Sequence, residues 1–380
     1  MMSPVPIDRI REVGTPVYCY DTSLLKETLE TVRSHISDRP SWKVHYAVKA
    51  NFNPGILKLI ASAGLGADCV SGGEIRAALD AGFAPSDIVY AGVGKSDEEI
   101  LLGLDEGISR FNVESVAELK VIDALARSRG KVAPVSLRVN PDIGAHTHAN
   151  ITTGLAENKF GIYHGILPDV VRIALSLKGI EFKGLHFHIG SQILDMADFS
   201  TLCNRIADIL GRLDTEGLPV SDINVGGGLG IDYYNPDDIT MASFGAYFST
   251  FKRHLRSDLP VHFELGRSIV GPCGSLVCKV LYVKEGLTRK FAVVDAGMTE
   301  LIRPALYGAY HHIDNLTSMM PEEKYDVVGP ICESSDVFGK ARMLRCCRRG
   351  DYLAIRSAGA YGESMASSYN CRPLPESLLY

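Results

Sequence analysis

Lys49 closes the apolar run Val44-His45-Tyr46-Ala47-Val48, and Asn51-Phe52-Asn53-Pro54-Gly55 breaks the pattern just after it. That spacing puts the lysine at the carboxyl end of a short buried strand. Burial penalises an ammonium, so an amine held there loses its proton more readily, and the neutral amine condenses with a carbonyl to a Schiff base. The plainer alternative is a strand-end lysine whose stem is covered and whose head reaches water.

Other side chains suit the same chemistry. Gly226-Gly227-Gly228-Leu229-Gly230 follows the strand-like Ile223-Asn224-Val225. Glycines there let backbone N–H groups close around an anion such as a phosphate; the alternative is a glycine-rich turn and nothing more. The dinucleotide fingerprint is not met, because Ile231 stands where the third glycine belongs. Glu264, in His262-Phe263-Glu264-Leu265-Gly266-Arg267, is a carboxylate at another strand end. Facing a pyridine nitrogen it would keep that nitrogen protonated and the ring an electron sink; otherwise it is a structural partner for an arginine. His186 and His188 alternate in Gly184-Leu185-His186-Phe187-His188 and share one face of a strand. With His146 and His148 they suggest a metallohydrolase site, a second function class, although no supporting aspartate occurs at the last strand. A flat imidazole stacked on a cofactor ring is the better use of His188.

These residues need a frame that brings strand ends together. Short apolar runs at 44–50, 67–71, 88–92, 110–113, 135–140, 184–190, 223–228 and 261–266 alternate with helical stretches at 73–82, 114–129, 167–178, 199–216 and 244–259. Alternation implies parallel pairing, and eight units match a (β/α)8 barrel of the usual ~250 residues, with a doubly wound open sheet as the other architecture. A barrel places its chemistry at the carboxyl ends of its strands. Lys49, Asp68, Arg138, His188, Gly226 to Gly228, Glu264 and Arg267 all fall there. After Pro272 strands follow one another at 275–284, 290–295, 325–328 and 351–356 without long helices, which reads as an all-β domain that the strand-like segment 15–20 joins.

The 380 residues suffice for two domains. A hydrophobic share of 46%, a charged share of 22% and a net charge of −6 fit a soluble globular protein and argue against nucleic acid or an anionic membrane as partner. No signal-peptide pattern opens the chain and no run of 18 apolar residues occurs, so the expected compartment is the cytoplasm. Nine scattered cysteines without a C-x-x-C pair read as free thiols, with no metal site among them.

Nine segments in order, at 45–51, 66–74, 186–192, 226–230, 264–267, 295–298, 302–307, 329–334 and 358–362, resemble the fold-type III pyridoxal-phosphate-dependent decarboxylases. The resemblance implies a barrel over 30–270 and a β domain formed by 1–29 with 271–380. It implies pyridoxal 5'-phosphate as cofactor and decarboxylation of meso-2,6-diaminopimelate to L-lysine and CO2, the last step of lysine biosynthesis, by a homodimer with shared active sites. By it, Lys49 holds the cofactor as a Schiff base, His188 stacks on the ring, Gly226, Gly227, Gly228 and Tyr361 hold the phosphate, and Glu264 faces the pyridine nitrogen. Asp68, Ser191, Gly266 and Arg267 complete the cofactor's surroundings. Arg267, Arg303, Tyr307, Glu333 and Tyr361 receive the far end of the substrate, and Cys332 reaches in from the other subunit to join Lys49, Glu264 and His188 in catalysis. Leu265 stands where the family has proline, a mild change, and the chain ends soon after Arg372-Pro373, which bears only on the family's terminal helix. Charge separates the relatives. Diaminopimelate carries an ammonium and a carboxylate at its far end, which Arg267, Arg303 and Glu333 suit, whereas ornithine or arginine decarboxylases need only acidic recognition of a cationic tail.

Overall fold

The computed structural model describes residues 4–143, 159–237, 241–255 and 257–380. Helix α1 (Ile7–Val13), strand β1 (Val17–Tyr20) and helix α2 (Thr22–Ile36) come first. Strands and helices then alternate: β2 (Trp42–Ala47), α3 (Pro54–Ser62), β3 (Gly66–Cys69), α4 (Gly72–Ala81), β4 (Ile88–Tyr90), α5 (Asp97–Glu106), β5 (Arg110–Val113), α6 (Val116–Ser128) and β6 (Ala133–Asn140). The two-residue β7 (Ile162–Tyr163), α7 (Leu167–Ser176), β8 (Ile180–His186), α8 (Met196–Thr215), β9 (Asp222–Asn224), α9 (Met241–His254) and β10 (Val261–Leu265) follow. The parallel order is β5-β4-β3-β2-β10-β9-β8-β6, and β5 also pairs with β6, so the ring is closed. β7 only pairs with the last two residues of β6, Val139 and Asn140. The eight expected strands therefore make a barrel and not an open sheet.

Local chemistry sets the element boundaries. Asn53 caps α3 by accepting from Gly55 N–H, with Pro54 in the first turn, so the break read after Lys49 is a helix start. Ser71 caps α4, and Gly82 ends it in the left-handed region at φ 96°. Ser96 and Glu99 form a reciprocal capping box on α5.

The barrel's apolar core lies between its strands and its helices. Phe263 of β10 packs against Phe248, Phe251 and Tyr247 of α9 at ring-centroid distances of 5.1, 5.3 and 5.9 Å. The inside of the ring is polar instead. Near the amino-terminal end, Arg110 Nη1 meets Asp222 Oδ1 at 2.5 Å and Ser136 Oγ at 3.3 Å. His45 Nε2 lies 2.9 Å from His262 Nδ1. One layer further on stand Asn112, His186, Asn224 and Glu264, all buried. Polar groups in such numbers are tolerated inside protein only when they satisfy one another.

The chain divides into two compact units, one of Leu29–Gly230 with Met241–Gly266, the other of Met1–Thr28, Ile231–Thr240 and Arg267–Tyr380. The second contains short helices α10 (Arg267–Val270) and α11 (Arg303–Tyr307) and strands β11 (Gly274–Glu285), β12 (Lys290–Val294), β13 (Ile313–Asn315), β14 (Glu322–Val328), β15 (Val337–Arg345), β16 (Tyr352–Ile355) and β17 (Glu376–Leu379). Its sheet runs β13-β16-β11-β12-β14-β15, and β1 joins it as expected, antiparallel to β11 and parallel to β17. Among the described residues no helix is long and apolar enough to cross a membrane.

The buried Arg110–Asp222 pair carries a stability prediction. Asp222→Ala strands the guanidinium inside the barrel and should cost about 3–5 kcal/mol, read as a lower urea midpoint, while an apolar replacement of both partners should recover most of the loss.

Candidate active site

β2 ends at Ala47, and the chain closes one 3-10 turn, Val48–Ala50, that carries Lys49 beyond the strand. The expectation of a buried lysine is corrected here: its side chain stays 41% exposed, because the turn lifts it off the barrel wall. Its Nζ lies 3.5 Å from Asp68 Oδ2 on β3, and Asp68 is fully buried. Neither Asp68 oxygen has a hydrogen-bond partner among the described residues. Burial, then the charge on Glu264, pushes the Asp68 carboxyl up to about 8, against the pull of Lys49.

Glu264 is held from three sides. Its Oε1 accepts from Asn112 Nδ2 at 3.2 Å and from Asn224 Nδ2 at 2.7 Å, and its Oε2 lies 3.0 Å from His186 Nε2. Burial alone would raise its pKa, but His186, Lys49 and His188 together hold the carboxyl well below the usual range. Two buried carboxylates thus divide the work at one barrel end. Glu264 keeps its charge and Asp68 is the one pushed toward neutrality.

His188 lies two residues past β8, and its Nδ1 accepts a long contact from Gly227 N–H at 3.4 Å. Crowding by protein atoms, then the cations of Arg138 and Lys49, hold its imidazole well below the ordinary histidine range, so it is a neutral flat ring. The glycine run is a steric requirement. A Cβ on Gly227 would stand 1.8 Å from the Glu264 carbonyl oxygen, and one on Gly226 2.3 Å from that of Phe187. Gly226 and Gly228 also take φ of 71° and 104°. The amides of Gly226 and Gly230 are spent on Asn224 Oδ1 and the Ile193 carbonyl. Ser191 sits in the adjoining turn, whose next residue, Gln192, has φ 63°. A Cβ on Gly266 would press on Ala47 and Ala50 at 3.0 and 3.1 Å, so glycine lets β10's end close on the turn that bears Lys49. The unpartnered buried atoms of Asp68, Asn112 Oδ1 and His186 Nδ1, with a glycine cradle beside them, fit a polar ring bearing a phosphate.

The β unit carries a second cluster. Arg267 opens α10, donates from Nη1 to Tyr233 Oη at 2.7 Å and stacks over Tyr361 at 4.7 Å. Arg303 opens α11 and stacks over the ring of the same Tyr233 at 4.6 Å. Both arginines are buried. Tyr307 ends α11, and Tyr361 has φ 56°, a conformation rare for a tyrosine. Cys332 and Glu333 are exposed; Asn370 Oδ1 accepts from Cys332 N–H at 3.1 Å, and Tyr369 Oη donates to Glu333 at 2.8 Å. Asp336 holds this turn by accepting from Ile331 N–H and Met298 N–H at 2.7 and 2.6 Å, which joins two of the motif segments.

Sequence reasoning missed the donors that clamp Glu264. Asn112 and Asn224 stand in short apolar strands, and an amide inside such a strand is the signal available. His186, considered as a metal ligand, serves Glu264 instead. Among the described residues no three His, Cys, Asp or Glu groups gather as a metal site, and His146 and His148 lie outside the described residues.

Residues 24–271 match the family model described as the pyridoxal-dependent decarboxylase, pyridoxal binding domain. The chain is 59% identical over 373 residues to the diaminopimelate decarboxylase of Bacteroides thetaiotaomicron, covering 98% of this chain and 97% of that one. It is 42% identical to the enzyme of the same name from Haemophilus influenzae, over 97% of this chain and 89% of its relative. The crystal structure of diaminopimelate decarboxylase from Helicobacter pylori complexed with L-lysine superposes with a TM-score of 0.93 at 41% identity, over 98% and 93% of the two chains. A lysine/ornithine decarboxylase from Vibrio vulnificus, at 20% identity and a TM-score of 0.85, shares the fold. A barrel end built around a clamped carboxylate, and identity of this extent along the whole length, lead to one conclusion: the chain belongs to the pyridoxal-dependent decarboxylases, within the diaminopimelate decarboxylase family.

Proposed function

We infer that this protein converts meso-2,6-diaminopimelate to L-lysine and CO2 with pyridoxal 5'-phosphate. The observation that carries the chemistry is the ionised, triply hydrogen-bonded Glu264 on the same barrel end as the Lys49 amine. When bound, pyridoxal phosphate supplies an aldehyde for covalent attachment of an amine and a ring that takes up the electron pair left by departing CO2. Lys49 is the residue that would hold the aldehyde, and Asp68 keeps a carboxyl within reach of its amine. Glu264 would accept the hydrogen bond of a protonated ring nitrogen and so hold that proton in place. His188 would cover one ring face and exclude water from it. The Gly228 amide, with Ser191 and Tyr361, is our candidate for the phosphate, since Gly226 and Gly230 donate elsewhere.

We assign the far end of the substrate to Arg267, Arg303, Tyr307, Tyr361 and Glu333. A planar guanidinium gives a carboxylate two charge-assisted hydrogen bonds, and a carboxylate gives the ammonium its partner. Two buried arginines favour this substrate over ornithine or arginine, whose tails carry no anion. Cys332, exposed on a turn of the β unit, would act in the site of a second copy of the chain, which makes the working form a homodimer. Nine free cysteines support a reducing compartment, the cytoplasm.

Borohydride treatment of the holoenzyme should fix the cofactor to the peptide containing Lys49, found by mass spectrometry. Lys49→Ala should lose that adduct and about three or more orders of magnitude in decarboxylation. An adduct on a different lysine removes the assignment. Glu264→Gln should lower kcat by about 100-fold or more with a far smaller change in KM, because the charge acts as the reaction proceeds and not in binding. Equal losses through KM would make Glu264 a structural partner instead. Sharing of the site is testable in a purified heterodimer of a Lys49→Ala chain and a Cys332→Ala chain, which should recover about half of wild-type activity from its one intact site. An inactive heterodimer means that each chain completes its own site.

A further inference from the structure

We propose that His311 is a positioning residue for specificity: a neutral imidazole that fixes the direction of the Arg303 guanidinium without cancelling the charge meant for the substrate. This rests on the assignment of Arg303 to the substrate's far carboxylate. His311 itself is outside every role given above.

The geometry begins with the sheet. β13 pairs with β16 with Ile313 opposite Ile355, and Arg356 N–H donates to the His312 carbonyl at 2.8 Å. That ladder sets His311 beside the Arg356 carbonyl, and its Nδ1 lies 2.8 Å from that oxygen. A carbonyl only accepts, so Nδ1 carries the hydrogen and Nε2 is left as a bare acceptor. Arg303 Nη1 lies 2.8 Å from this Nε2. The guanidinium is thus directed by one neutral hydrogen bond and by the Tyr233 ring beneath it, 4.6 Å away.

Charge explains why an imidazole suits the position. A buried guanidinium ordinarily sits against a carboxylate. Among the described residues none lies within ion-pair distance of Arg303. Asp314 and Asp237 pair instead with Arg356, the residue whose carbonyl His311 faces, at 2.8 and 3.1 Å. His311 has no exposure to water. Burial, followed by the charge of Arg303 and also those of Arg267 and Arg342, holds its pKa down to about 3, so it stays neutral at any working pH. A glutamate in its place would hold Arg303 equally well but would neutralise it, and the arginine would lose its pull on a second carboxylate.

L-Lysine and cadaverine differ by one carboxylate, so their separate affinities for the holoenzyme isolate the arginine's contribution. Four enzymes are compared after their bound-cofactor absorbance is shown to match wild type: Arg303→Ala, His311→Glu, His311→Leu and His311→Gln. Arg303→Ala should weaken lysine about tenfold or more and leave cadaverine within about twofold. His311→Glu and His311→Leu should do the same, the first by neutralising the guanidinium and the second by releasing it, with KM for diaminopimelate rising more than kcat falls. His311→Gln, a neutral acceptor, should stay within about threefold of wild type for both ligands. Wild-type lysine affinity in both the Glu and the Leu enzymes overturns the proposal, as does a parallel loss of lysine and cadaverine, which marks a merely structural histidine. Unchanged lysine affinity in Arg303→Ala overturns the underlying assignment as well, whereas loss there with no loss in the His311 variants overturns only the role of His311.

Discussion

A carboxylate removed from water costs several kcal/mol unless donors and cations surround it, and the barrel is arranged around that condition at Glu264. Its two oxygens take three hydrogen bonds from three strands, β5, β8 and β9. Those strands can converge on one side chain of β10 only in a closed ring with all four in register. The same residue's main chain imposes a second requirement. The loop after β9 passes so close to the Glu264 carbonyl that only glycine fits at 227. Asparagine at 224 and glycine at 227 are thus consequences of one buried charge and its backbone.

The β unit answers the opposite condition. Besides buried acids such as Glu300 and Asp336, it buries the cations Arg267 and Arg303, and surrounds these two with a hydroxyl, aromatic faces and a neutral imidazole. The barrel fixes an anion with hydrogen-bond donors, and the β unit fixes two cations with a hydroxyl, aromatic faces and an imidazole.

What was legible in the sequence follows from what a linear pattern records. Alternation of apolar runs with helical stretches told of the barrel, and strand-end placement picked out Lys49, Asp68, His188 and Glu264, because parallel strands carry function at one end. The i, i+2 spacing of His186 and His188 suggested a shared face but said nothing of what His186 would meet. Its partner lies on β10, 78 residues away. The exposure of Lys49 was not visible either, since a single 3-10 turn looks like a strand's last residues. In the β unit β13 and β17 were missed because they are only three and four residues long, and β15 because its burial does not alternate: it reads partly buried, buried, buried, exposed, exposed along its first five residues. His311 and Tyr233 carry no local signature, being distinguished only by the arginines that fold onto them.

The pairing of β1 has a consequence for how the chain comes into being. Val17–Tyr20 is flanked by Gly274–Val277 on one side and Glu376–Leu379 on the other. A ribosome adds about 5–20 residues each second, so this early strand waits on the order of half a minute for its last neighbour. Through that interval Val17 and Cys19, fully covered in the finished molecule, have no permanent cover. The β unit is therefore completed by a strand made long after β1, and a nascent chain halted short of it leaves an apolar sheet edge open to other molecules.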